Sequence, residues 1–97
     1  MIVLSVMLKV KQGKEKVLED GVTAMIRKVH LEKGTIAYTL HRHQNDPTRY
    51  MLYEKYKDKA AFDHHMATDY LQTLLRCFDE TLEAEPVIEM FEEVASI

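Results

Sequence analysis

The sequence contains no tryptophan, one cysteine, two prolines and three glycines, and these shortages narrow what the chain can do. Cys77 stands alone in a stretch that reads as helix, so it cannot make an internal disulfide. It fits a small core or surface residue in a reducing cytoplasm. The glycines are scattered at 13, 21 and 34, which leaves no glycine-rich phosphate loop, and no Ser-His-Asp or paired-cysteine motif is visible. Thirteen Lys and Arg are interleaved with sixteen Asp and Glu, for a net charge of -3. Without a basic block to neutralise a run of phosphates, no nucleic-acid partner is expected. The apolar segment from Ile2 to Val10 is too short for a membrane span and lacks the basic flank and cleavage site of an export signal. Neither membrane nor secretion is therefore expected, and the localisation read is cytoplasmic.

At 97 residues the expected organisation is one domain over 1–97. A domain of this size buries only about 60 to 65% of the surface its unfolded chain exposes, so association with a partner is expected from size alone.

What is present is strong periodicity. Ile2, Leu4, Val6, Leu8 and Val10 alternate with Val3, Ser5, Met7 and Lys9, a period of two that predicts a strand. After Gly13, residues Val17, Leu18, Val22, Met25, Ile26 and Val29 recur at three and four up to Gly34, which predicts an amphipathic helix with a glycine stop. Thr35–His43 and Tyr50–Tyr56 read as a hairpin across the turn chemistry of Asn45-Asp46-Pro47-Thr48. Asp58 can cap a second helical segment whose buried stripe runs from Ala61 to Leu82, with a break near Thr68-Asp69. Pro86 ends it, and a last strand is expected to Val94.

The order β-α-β-β-α-β with right-handed crossovers gives an α+β, ferredoxin-like fold: a four-stranded antiparallel sheet with two helices on one face. The outer face should then be polar in a monomer. Instead it would carry Val3, Met7, Ala37, Thr39, Met51, Tyr53 and either Phe91 or Met90, an apolar area of several hundred Å², near or above what a monomer usually leaves open. A second copy laid sheet against sheet, a homodimer forming a dimeric α+β barrel, is the expected solution. Cover by the chain's own C-terminal tail is the alternative.

The segment from Glu32 to Leu71 carries Glu32-Lys33-Gly34, Tyr38, Tyr53-Glu54-Lys55-Tyr56, His64-His65 and Thr68-Asp69-Tyr70. In order and spacing, it resembles the antibiotic biosynthesis monooxygenase (ABM) family. In that family an E-x-G and a Tyr open the second strand, an acidic-aromatic pair ends the third, and a His follows on the next helix. Tyr56 stands where members often have Trp, and Tyr70 where many have a second His. The resemblance implies a pocket between helices and sheet, at the end of the third strand and the start of the second helix. It also implies a cofactor-independent monooxygenase acting on a quinol or small polycyclic aromatic, with no metal.

Strand alternation points Leu52, Glu54 and Tyr56 the same way. On the helix side, Glu54 would polarise His65 as a general base, making these two the candidate catalytic residues. Tyr38, Tyr56, Tyr70 and Leu52 are the candidate substrate-binding residues. The plainer readings stay open: a hydrogen-bonded core histidine, a Glu54 paired with Lys or Arg across the sheet, and tyrosines that are simply amphipathic. His64 lies about 100° from His65 around the helix and should face solvent, away from the pocket. His41 and His43 share a strand face, but no third ligand completes a metal site. Two other functions compete: processing of a small phosphorylated signalling sugar, for which Arg42, Arg49 or Lys55 would have to supply the basic pocket, and a non-catalytic ligand-binding stress-response module.

Overall fold

The computed structural model describes residues 1–97. Strand β1 (Ile2–Lys9) leads through a turn at Gly13, the one residue with a positive φ (92°), into helix α1 (Glu15–Val29). Strands β2 (Thr35–Arg42) and β3 (Arg49–Tyr56) form the hairpin, and helices α2 (Lys59–Met66) and α3 (Asp69–Thr81) precede β4 (Val87–Glu92). The sheet order is β2-β3-β1-β4, antiparallel throughout, and the fold is ferredoxin-like.

The alternation of β1 is realised as read: Leu4, Val6, Leu8 and Val10 are buried beneath the helices. From α1 come Leu18, Val22, Met25 and Val29, and from α3 Leu71, Leu74 and Phe78, each set at the spacing that puts one helical face on the sheet. The expected second helix is two helices, broken at Ala67-Thr68. Asp58 caps α2 by accepting from the Ala61 N–H at 2.9 Å. Thr68 closes it, its hydroxyl donating to the His65 carbonyl at 2.7 Å.

Two expectations change at the last strand. It spans six residues and stops at Glu92, because its register puts Glu92 opposite Ile2, where β1 begins. The helices also do not cover it. Val87 and Phe91 lie on the outer face opposite Met7 and Val3, while Ile88 and Met90 lie on the helix side opposite Val6 and Leu4, and all four are at least half exposed. On the outer face Met7, Val87 and Phe91 are therefore exposed, with Val3 and Met51 half-buried beside them. The tail does not cover them either, since Val94 and Ile97 are fully exposed.

Candidate functional site

Helix α2 is short and presents one buried residue, His65. Ala61 and Phe62 lie four and three residues before it, so the three share the inward face. Ala61 sits against Gly34 at the start of β2, and the Gly34 carbonyl accepts from the Lys57 N–H at 2.8 Å. These contacts bring α2 down close to the sheet and drive His65 between aromatic rings. Its centroid lies 5.5 Å from Tyr38, 5.4 Å from Tyr56 and 6.5 Å from Tyr70.

Strand register explains the company. Tyr38 pairs with Glu54 across the hairpin, and Glu54 and Tyr56 alternate to the same helix-facing side of β3. Glu54 is buried and accepts a 2.6 Å hydrogen bond from the Tyr56 hydroxyl. Burial pushes the Glu54 carboxyl above its ordinary value, against the lowering effect of that hydrogen bond and of His65. Burial likewise pushes the Tyr38 and Tyr56 phenols up, with the nearby Glu54 charge adding to it, so both stay protonated and available as donors.

The carboxylate that holds His65 is not Glu54, as the sequence suggested, but Glu32. Nδ1 of His65 lies 3.1 and 3.2 Å from the two Glu32 carboxylate oxygens, with both side chains almost wholly buried. Glu32 also accepts from the Thr35 hydroxyl at 2.9 Å and from the Tyr70 hydroxyl. Burial alone would raise its carboxyl, but the hydrogen bonds from Tyr70, His65 and Thr35 outweigh it and hold the group below its ordinary value. Burial and the bond to Glu32 push the Tyr70 phenol up to about 12.

The structure thus gathers His65, Glu54, Tyr38, Tyr56 and Tyr70 into one cluster. Leu52, one step further along β3, is 1% exposed and belongs to the main core. Glu32 is the residue that candidate selection from sequence passed over. Its signal was present as the first position of Glu32-x-Gly34, in which one residue holds the imidazole and the other admits the helix that carries it.

Glu32 and Tyr70 form the wall between this cluster and an open cleft of about 700 Å³ between the end of α1 and the first turns of α2. His64 is exposed, as expected, and lines the outer side of that cleft, which His65 does not share. The basic residues considered for a phosphate site lie elsewhere. Arg42 pairs with Glu19 at 3.1 Å, Lys55 with Glu93 at 2.5 Å, and Arg49 stands on the outer side with His41 and His43. His43 Nδ1 accepts from the Asn45 and Asp46 N–H groups, a turn-closing role. No helix is long and apolar enough to cross a membrane.

A family profile described as antibiotic biosynthesis monooxygenase matches residues 1–76. YcnE of Bacillus subtilis (strain 168), which carries a provisional monooxygenase name, is 29% identical over 84 residues, 87% of this chain and 88% of its own. A solved structure from Shewanella oneidensis is 31% identical and superposes with a TM-score of 0.87, covering 93% of this chain and 87% of that one. A structure from Caulobacter crescentus, provisionally described as an antibiotic biosynthesis monooxygenase, is 29% identical with a TM-score of 0.91, covering 97% of this chain and 90% of its own.

Proposed function

The chain belongs to the antibiotic biosynthesis monooxygenase family, and from that premise we propose that it oxygenates a quinol or small polycyclic aromatic without a resident cofactor, using His65 as the base. The observation that carries this reading is the buried Glu32–His65 pair. With Nδ1–H donated to the Glu32 carboxylate, the lone pair of the neutral ring lies on Nε2. Nε2 makes no hydrogen bond within the chain, which leaves its lone pair free to accept a proton. It is the natural acceptor for a substrate proton.

The chemistry then follows from the substrate's own electrons. Nε2 takes a proton from a phenolic or activated C–H group, and Glu32 stabilises the imidazolium that forms. The Tyr38 and Tyr56 hydroxyls are donors for the resulting anion. The electron-rich carbon gives a pair to dioxygen and a C–O bond forms. Loss of the second C–H proton and cleavage of the O–O bond leave a carbonyl on the substrate and release the other oxygen as water. The balance is R₂CH₂ + O₂ → R₂C=O + H₂O, with all four electrons supplied by the substrate.

The same reading takes residues 1–97 as one ABM-like domain working in the cytoplasm as a homodimer, with a second copy over the outer sheet face. The exposed Met7, Val87 and Phe91 side chains support that assembly. Oxygen uptake with a panel of reduced naphthoquinones tests the chemistry. His65→Ala should lose activity while keeping its circular dichroism, and equal rates in variant and wild type would remove His65 from the mechanism.

A further inference from the structure

The cleft beside the cluster is unevenly charged. Its charged side chains are Lys28 from the last turn of α1, Lys33 from the following turn, and Glu32 at the floor, with His64 as a further titratable group from α2. Glu32 is committed, since its carboxylate is held by His65, Thr35 and Tyr70. The two lysines are exposed, and neither makes an ion pair or a side-chain hydrogen bond. No free carboxylate lines the cleft to answer them, although the chain as a whole carries a net charge of -3. This is a local reversal of sign at a cleft whose floor is Glu32, the carboxylate that holds His65.

The remaining lining is apolar. Leu31 is 79% exposed there, and Ala60 and Ala61 form the facing wall. A volume of about 700 Å³ lies within the range of small-molecule sites, where apolar walls hold the body of a ligand and a few polar groups fix its orientation. A flat ring against Leu31 and the alanines would place one end toward Tyr70 and the other between the lysines.

We infer that the substrate is an acidic aromatic, a fused or single ring bearing a carboxylate or phosphate. The anionic group is held at Lys28 and Lys33, with the other end of the ring directed toward Tyr70. That this ligand is the substrate rests on the proposed reaction. The charge selectivity stands on the cleft itself, so binding and turnover can fail separately.

The test uses redox-inert ligands under argon, which makes binding independent of any oxygenation. Calorimetry compares 1-hydroxy-2-naphthoate, 1-naphthyl phosphate, the uncharged 1-hydroxy-2-naphthamide and a sugar phosphate without a ring. The expected order is both anionic naphthalenes ahead of the amide, and the sugar phosphate weakest. The double variant Lys28→Gln/Lys33→Gln should lose about tenfold in affinity for the anions and nothing for the amide, and added salt should reproduce that loss in the wild type. The ratio between the carboxylate and phosphate arms identifies which anion the site prefers. Equal binding of acid and amide, or an unchanged double variant, would overturn the charge selectivity, and tightest binding by the sugar phosphate would overturn the aromatic body. Binding as expected with no oxygen uptake from any reduced acidic aromatic would sink the proposed reaction and leave this inference standing.

Discussion

A methyl group added to Gly34 would lie 2.2 Å from the Ala61 Cβ and 3.3 Å from its Cα, so the start of β2 and the first turn of α2 meet at a distance that only glycine allows. No side-chain rotation relieves such a contact, because Ala61 has none to offer. Gly34→Ala must lift α2, and His65 rides one turn beyond Ala61. Overpacking of this kind costs about 1 to 3 kcal/mol. The expected result is that loss in chemical denaturation together with a fall in oxygen uptake of about a hundredfold, since small displacements from reacting geometry are costly. Adding Ala61→Gly should restore much of both. A Gly34→Ala protein with full activity would mean that the seat of α2 does not set the position of His65.

Glu32 acts through His65 rather than on substrate, which makes it a positioning residue. Glu32→Gln keeps an acceptor for Nδ1–H and removes the charge that stabilises the imidazolium. The expected signature is a fall in kcat of about a hundredfold, within the range for general-base catalysis, with KM little changed. Because a neutral amide can keep several of the hydrogen bonds now made by Tyr70, Thr35 and His65, the melting temperature should move by only a few degrees. A purely structural role would reverse the pattern, with a large loss of stability and an intact kcat in the surviving folded protein.

Much of this arrangement was legible in the sequence, and the part that was not has a physical reason. The helix-facing side of β3 follows from alternation alone, so Glu54 and Tyr56 were placed correctly beneath α2. Pairing of Tyr38 with Glu54 needed only the hairpin register. The Glu32–His65 contact joins residues 33 positions apart and depends on how the turn after α1 folds back onto α2, which no local period encodes. The uncovered helix side of β4 was equally hidden. Periodicity counts apolar faces, but it does not say how far two crossing helices reach across a sheet, and here they stop short of Ile88 and Met90.

The raised Glu54 carboxyl gives a stability signature opposite in sign to ordinary acid denaturation. Its folded value lies above the ordinary 4.5, so between those two values the folded state binds more protons than the unfolded one. Stability from this group is full below 4.5 and declines as pH rises through the window. Glu32, Glu19 and Asp46 are held below their ordinary values and do the reverse, losing their contribution as the solution is acidified. Comparison with Glu54→Gln cancels those shared groups. The difference in unfolding free energy, variant minus wild type, should grow in favour of the variant from about pH 4.5 upward and be flat below it. A difference that stays constant from acid to neutral pH would show that Glu54 does not retain its proton on folding.

The crossing of α1 and α3 offers a test of packing remote from the site. A Cβ on Gly21 would meet the Cys77 Sγ at 2.8 Å. In a helix interior alanine is favoured over glycine by about 1 kcal/mol, so the clash and the propensity gain oppose each other. Gly21→Ala alone should be neutral or destabilising. In a Cys77→Ala background, where the sulfur is gone, the same change should stabilise by about 1 kcal/mol. A double-mutant cycle in urea checks this, and simple additivity would show that Cys77 turns aside without cost.

The proposed assembly predicts which side of the sheet tolerates charge. Phe91 is half exposed on the outer face opposite Val3, whereas Leu75, of comparable exposure, lies on α3 on the other side of the molecule. If a second copy covers the outer face, a carboxylate at Phe91 is buried without a partner, a change that commonly costs several kcal/mol. Light scattering at micromolar concentration should then give about twice 11.3 kDa for the wild type and for Leu75→Glu, and a single chain's mass for Phe91→Glu. Because a small domain depends on its partner for buried area, Phe91→Glu should also melt at lower temperature, and its melting temperature should no longer rise with protein concentration. A wild type that already runs at one chain's mass would remove the homodimer, and with it the explanation offered for the open apolar face.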